Sequence, residues 1–277
     1  MDVFLRDNAE SLQYLIFFSL FAGLGLMELW LTDKPAARGI RWRSNLMLTV
    51  LCVLTLGVLP VSALMAADYA AERGTGLLND PLIPAGLAIA AGILLRSLLS
   101  YMIHIAFHKA PWLWRLHAVH HTDTDMDVTT AVRMHPVEFI ISAALILPCV
   151  VAFGIPVEAV ILYEILDSGM AVFTHTNVRL PKPVDRALRW GLVTPAMHRI
   201  HHSNWQAETD SNFGATFSFW DRMFGTYRAT ARDGEAPTHL GLESVSPQQS
   251  ESIAWLLALP LAGLPVSQPN AASTAEV

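Results

Sequence analysis

Residues 104–121, HIAFHKAPWLWRLHAVHH, hold two spaced histidine sets, His104-x-x-x-His108 and His117-x-x-His120-His121. A third set, His198-x-x-His201-His202, repeats the second spacing, so eight of the eleven histidines lie in three short clusters. Residues three and four apart share one face of a helix, and this spacing turns several imidazoles toward one point. The pattern predicts helices that present a metal site. A structural zinc is satisfied by four ligands and a catalytic zinc by three plus water, so this set exceeds the needs of one ion. Two first-row metals with about four or five nitrogens each would use it, and imidazole suits iron, copper, nickel and zinc alike. The spacing therefore does not choose the element. Histidines lying singly in a core or on a solvated face would not produce three spaced clusters.

The surrounding chain is a membrane scaffold. Its 277 residues are 53% hydrophobic and 15% charged, too apolar for an ordinary soluble domain. Three runs, Leu12 to Leu31, Asn45 to Ala66 and Leu82 to Ile103, approach the ~20 residues that a helix needs to cross the hydrocarbon core. Val137 to Phe153 and Val157 to Val172, separated by Gly154-Ile155-Pro156, read as a helical hairpin. Its second arm carries Glu158, Glu164 and Asp167 and either crosses or dips. The stretch Ile253 to Val266 contains Pro260 and Pro265, is too short to span, and is expected at the interface or packed on the body. The fold expected is all-α: a polytopic membrane helical bundle of about four or five segments with a cytoplasmic histidine-rich helical cap. It forms one domain over 1–267, with a disordered tail at 268–277.

Other classes find little support. Cys52 and Cys149 both lie in apolar runs, so neither a disulfide framework nor a thiolate metal site is expected. Asp2, Asp7 and Glu10 with one Arg6 precede the first run, which lacks the basic start of a cleavable signal and is expected to stay as a helix. A net charge of −6 gives no reason to expect a nucleic-acid partner.

Positive residues concentrate in cytoplasmic loops. Lys34, Arg38, Arg41 and Arg43 lie in the first loop, and the segments after the third and fifth runs are rich in Lys and Arg, whereas Asp68 to Asp80 holds only Arg73. This asymmetry puts the N-terminus outside and, through the hairpin, all three histidine clusters on the cytoplasmic side. Arg96, Ser100, His104 and His108 then form one stripe where the third helix leaves the membrane, and Arg96 is expected to be paired structurally. Pro111 opens a short helix carrying His117, His120 and His121, and Thr194-Pro195 opens the one carrying His198, His201 and His202. His175, on the return of the fifth run, is a candidate additional ligand. His135, extended before Pro136, is a candidate ligand or a hydrogen-bonding support for one. His239 stands alone in a polar stretch and is read as solvated.

The three clusters together resemble the fatty acid hydroxylase/sterol desaturase superfamily of membrane-bound di-iron enzymes. The resemblance covers roughly Leu95 to Tyr227, the expected catalytic core, and includes His135-Pro136, His175-Thr176-Asn177, Asn212-Phe213-Gly214 and Trp220-Asp221-Arg222-Met223-Phe224-Gly225-Thr226-Tyr227. It implies that His104, His108, His117, His120, His121, His175, His198, His201 and His202 ligate two iron ions. Some family hydroxylases carry another histidine where this chain has Ala171. That leaves one metal with His135, water or an open position. The implied chemistry uses O2 as co-substrate to hydroxylate or desaturate an unactivated C–H bond of a lipid, such as a sterol or fatty acyl chain. Asp123, Asp125, Asp127, Glu138 and Asp210 are candidates for orienting the rings.

Electrons must come from elsewhere, because the chain has no cysteine set for an iron–sulfur cluster and no glycine-rich dinucleotide fingerprint. A separate donor of ferredoxin, cytochrome b5 or reductase type is expected. The absence of a dilysine ending favours a bacterial inner membrane over the ER. The competing reading is a non-catalytic histidine-rich membrane protein that binds or transports metal. A transporter, however, should carry its ligands along a path near mid-membrane rather than at helix ends.

Overall fold

The computed structural model describes residues 8–32 and 39–264, and these are helical, with isolated β-bridges only at Leu192–Phe217, Ser203–Leu240 and Ala231–Gly234. Lys34, Arg38 and the tail at 268–277 lie outside the described residues. The helices are α1 Ala9–Leu31, α2 Ile40–Val58, α3 Ala63–Arg73, α4 Ala85–Lys109, α5 Pro111–His121, α6 Pro136–Phe153, α7 Val157–His175, α8 Lys182–Leu188, α9 Pro195–His201, α10 Gln206–Thr209, α11 Phe219–Met223, α12 Pro247–Ser250 and α13 Ile253–Ala262.

Among the described residues, four stretches are long and apolar enough to cross a membrane: Ser11–Trp30, Ile40–Arg73, Ala85–Lys109 and Pro136–Phe153. The second is not the continuous helix that the run Asn45 to Ala66 suggests. Pro60 has no N–H and restricts Leu59 before it, so α2 stops at Val58 and α3 begins after Ser62, whose hydroxyl accepts from the Met65 N–H. The hairpin forms as expected, turning through Gly154 at φ 62°. Its second arm, α7, runs on past Val172 to His175.

Close backbone approach fixes the two ends of the bundle. At the far end, a Cβ on Gly76 would sit 2.1 Å from the Gly154 nitrogen, so only glycine lets the two turns meet. Midway, Gly92 of α4 meets Ala159 of α7, where an added Cβ would lie 2.7 Å from the alanine methyl. At the other end, the C-terminal ends of α1, α4 and α7 and the N-terminal ends of α2 and α6 converge beneath α5, α9 and the loops between them. Glu28 near the end of α1 is 4% exposed, and its Oε1 accepts from the Val128 and Asn177 N–H groups. Arg41 at the start of α2 pairs with Asp123 and Asp127, so it is a buried structural cation as well as a charge near the first loop.

Arg133 is fully buried and ties the cap together. It donates to the Val119 carbonyl, Asn45 Oδ1, Thr122 Oγ1 and the Ser250 carbonyl at 2.6 to 2.9 Å. The apolar α13 packs on the body, with Leu256 and Leu259 buried alongside Ala118 and Val119 of α5 and Leu48 of α2.

Candidate metal centre

Four helices deliver nine histidines to one buried volume. His104 and His108 project from the last turns of α4, His117, His120 and His121 from α5, His175 from the end of α7, and His198 and His201 from α9, with His202 just past it. Pro111 opens α5, and the Thr194 hydroxyl caps α9 by accepting from the Met197 N–H at 3.3 Å. The rings separate into two sets: His104, His108, His117, His121 and His201, and then His120, His175, His198 and His202. Within each set all ligand atoms lie within 4.8 Å of one another.

The hydrogen bonds fix where the lone pairs point. A carbonyl oxygen only accepts, so the His104 Nδ1 at 2.7 Å from the Phe213 oxygen and the His201 Nδ1 at 2.8 Å from the Ser211 oxygen both carry protons. Their Nε2 atoms therefore hold lone pairs, yet these face each other at 3.1 Å. The second set repeats the arrangement. His175 donates from Nδ1 to the Ala171 oxygen, His120 from Nδ1 to the Arg133 oxygen, and their Nε2 atoms are 3.1 Å apart. His198 Nε2 lies 3.0 Å from that of His175 and 3.2 Å from that of His202.

Two acceptors at that distance repel unless a cation lies between them. Metal–imidazole bonds of about 2.0–2.1 Å place neighbouring ligand nitrogens roughly 3.0–3.4 Å apart, which matches these contacts. Both ring nitrogens of His108 and His121, and Nδ1 of His198, are buried without a hydrogen-bond partner among the described residues. Coordination would satisfy one nitrogen on His108 and one on His121, whereas His198 already turns Nε2 into the second set. Burial also pushes the pKa values of His120, His121, His198 and His202 well below the ordinary histidine value, and that of His201 down to about 3. The imidazoles are thereby held neutral, as ligands must be.

Of the acidic candidates, Glu138 places Oε1 2.7 Å from the His117 Nδ1. Asp210 comes within 3.6 Å of the His108 Nδ1 while binding Lys109. Asp123 and Asp127 serve Arg41 instead. His135 is not brought to either set. It caps α6, with Nδ1 accepting from the Val137 N–H and Nε2 3.3 Å from the Leu257 oxygen. Ala171 contributes its carbonyl to His175 rather than a ring to the second set.

Sequence reading missed the backbone carbonyls that orient the rings, because they have no side-chain signature. It gave Asp221, quoted only as part of the Trp220 to Tyr227 run, no role; that carboxylate accepts from the Phe213 and Gly214 N–H groups and so holds the carbonyl that receives His104. A Cβ on Gly214 would lie 2.8 Å from that carboxylate, which accounts for the glycine.

Comparison with known proteins agrees with this geometry. The fatty acid hydroxylase profile matches residues 89–226, the stretch that contains all nine histidines, and the chain belongs to that family. Alkylglycerol monooxygenase of Caenorhabditis elegans is 32% identical over 135 residues, 48% of this chain and 25% of that protein. Ornithine lipid hydroxylase OlsE of Rhizobium tropici is 28% identical over 150 residues, 54% of this chain and 44% of that protein. A cholesterol 25-hydroxylase-like protein of Danio rerio is 28% identical over 140 residues, 50% of this chain and 54% of that protein. The chain thus spans about half or less of the relatives it matches. No solved structure matches it.

Proposed function

We propose that this protein is a multi-pass membrane di-iron oxygenase that uses O2 and electrons from a separate donor to hydroxylate an unactivated C–H bond of a lipid. The observation that carries this reading is the convergence of proton-free Nε2 atoms in two adjacent sets of five and four histidines. The relatives' names, all lipid hydroxylases or monooxygenases, support the reaction class. Desaturation would begin with the same hydrogen abstraction, and the hydroxylase names favour oxygen insertion.

In this reading the first set holds one iron and the second set the other. When bound, the irons supply the redox chemistry that O2 reduction and C–H oxidation need and that amino-acid side chains lack. The chain's own groups do the rest. Carbonyls of Phe213, Ser211, Ala171 and Arg133 fix the tautomers. Glu138 raises the basicity of His117. The buried cap excludes water. His135 supports α6 and is not assigned as a ligand.

The charge asymmetry supports a topology with the N-terminus outside and the histidines cytoplasmic. A donor of ferredoxin, cytochrome b5 or reductase type would then approach the cap. The clusters' place at helix ends, rather than along a path through the bundle, argues against a metal transporter. The test is to load purified protein anaerobically with Fe(II) and supply reductant, host lipid extract and isotopic oxygen. Labelled oxygen in one lipid, lost in His120→Ala, supports the reading. Iron-loaded, reduced protein that consumes no O2 and changes no lipid refutes it.

A further inference from the structure

Among the described residues, Arg96 has no carboxylate partner. It lies near the middle of α4, is 7% exposed, donates from Nη1 to the Ser100 hydroxyl at 3.0 Å, and has a buried Nε with no hydrogen-bond partner. The guanidinium carbon stands 5.1 Å from the centre of the Tyr163 ring on α7. Tyr163 in turn donates to Asp167 Oδ1 at 2.9 Å, and Thr216 donates to the same oxygen at 2.6 Å, while Oδ2 takes no bond within the described residues. A cation at membrane depth with an open donor is costly unless something fills it, and by default it marks a functional site.

The cluster sits directly beneath the metal centre. Ser100 is one helical turn below His104 on the same stripe, and Ala171 and Asp167 are one and two turns below His175. Ser100, His104, Asp167 and Ala171 all remain partly exposed along the stripes of α4 and α7 that lead to the first histidine set. The cluster holds one guanidinium and one carboxylate, which makes it a poor host for a further charge. A hydroxyl matches it on both sides, accepting from the Arg96 Nε–H and donating to Asp167.

We propose that Arg96 and Asp167 form a subsite for an uncharged hydroxyl on the substrate. It rests on the lipid-oxygenase reading and narrows the substrate class: an amphiphile whose oxidised carbon lies about 6–12 Å from a hydroxyl oxygen, the rise of one to two helical turns. An alkane or a fatty acid anion would not satisfy this site.

The test uses metal-free full-length protein in detergent, with retention of 1-hexadecanol, n-hexadecane and palmitate compared by native mass spectrometry. The expected result is hexadecanol retained about tenfold better than hexadecane, as one buried hydrogen bond requires. Arg96→Met should abolish that preference. If Arg96→Met does not fold, Asp167→Asn decides, because it keeps the acceptor for Tyr163 and Thr216 and should still lower the preference. Equal retention of alcohol and alkane, stronger retention of palmitate, or a preference unchanged in the folded variants overturns the subsite. Iron content and isotopic oxygen incorporation test the oxygenase reading separately, so a protein that oxidises lipid without an alcohol preference sinks only this inference.

Discussion

Glu138, at the first turn of α6, holds His117 of α5 through a 2.7 Å contact between Oε1 and Nδ1. The pair joins a membrane helix to the metal-bearing cap. Carboxylates that support a ligating histidine typically contribute 10–100-fold to metal affinity. Glu138→Ala should therefore weaken iron retention by ~10-fold or more, read by chelator competition, while leaving the helical content intact. Unchanged retention would show that His117 is oriented by packing alone.

Arg133 should prove the most sensitive position of the cap outside the histidines. Arg133→Met leaves Asn45, Thr122 and the Val119 and Ser250 carbonyls short of a buried donor. At 1–3 kcal/mol for each unsatisfied group, partly relieved by relaxation, the loss is about 3 kcal/mol or more. The apparent melting temperature in detergent should fall clearly. A shift no larger than that of an exposed control such as Arg186→Met would contradict this.

Glu28 makes a separable prediction. Glu28→Ala removes the acceptor of the Val128 and Asn177 N–H groups, whereas Glu28→Gln keeps an acceptor oxygen. Hydrogen exchange at those two amides should accelerate in the alanine variant and much less in glutamine. Equal protection in both variants would mean that α1 docks through apolar contacts alone.

The pH dependence of the metal-free protein follows from the buried imidazoles. Burial holds His121, His198 and His202 well below the ordinary value and His201 near about 3, while in the unfolded chain each titrates near ~6.5. Below that value the unfolded state binds more protons, so this contribution is fully present above pH ~6.5 and is lost as pH falls toward the folded values. The metal-free protein should melt at a lower temperature at pH 5 than at pH 8. The opposite order would show that the rings are charged in the folded state.

Much of this architecture was legible in sequence because its signals are local. Spacings of three and four fix which histidines share a helix face, and Gly154-Ile155-Pro156 marks the hairpin turn. His175 could be placed beside the clusters because the hairpin returns it to their side. What stayed hidden was nonlocal. Nothing in the sequence pairs Arg41 with Asp123 and Asp127, separated by about eighty residues, or aims the Phe213 and Ser211 carbonyls at His104 and His201. His135 was ambiguous for the same reason, since only its position as a helix cap shows that both ring nitrogens are engaged. Pro60 is a local signal masked by the apolar residues around it, and it divides the second apolar run into two helices.

The central claim, two adjacent metal sites formed by five and four imidazoles, is tested most directly by counting iron in the purified protein after anaerobic loading, with His121→Ala and His198→Ala measured in parallel. About two irons per chain are expected, as a two-metal centre requires, with a loss in each variant because one set is broken each time. A single iron per chain, or full occupancy in both variants, would contradict it.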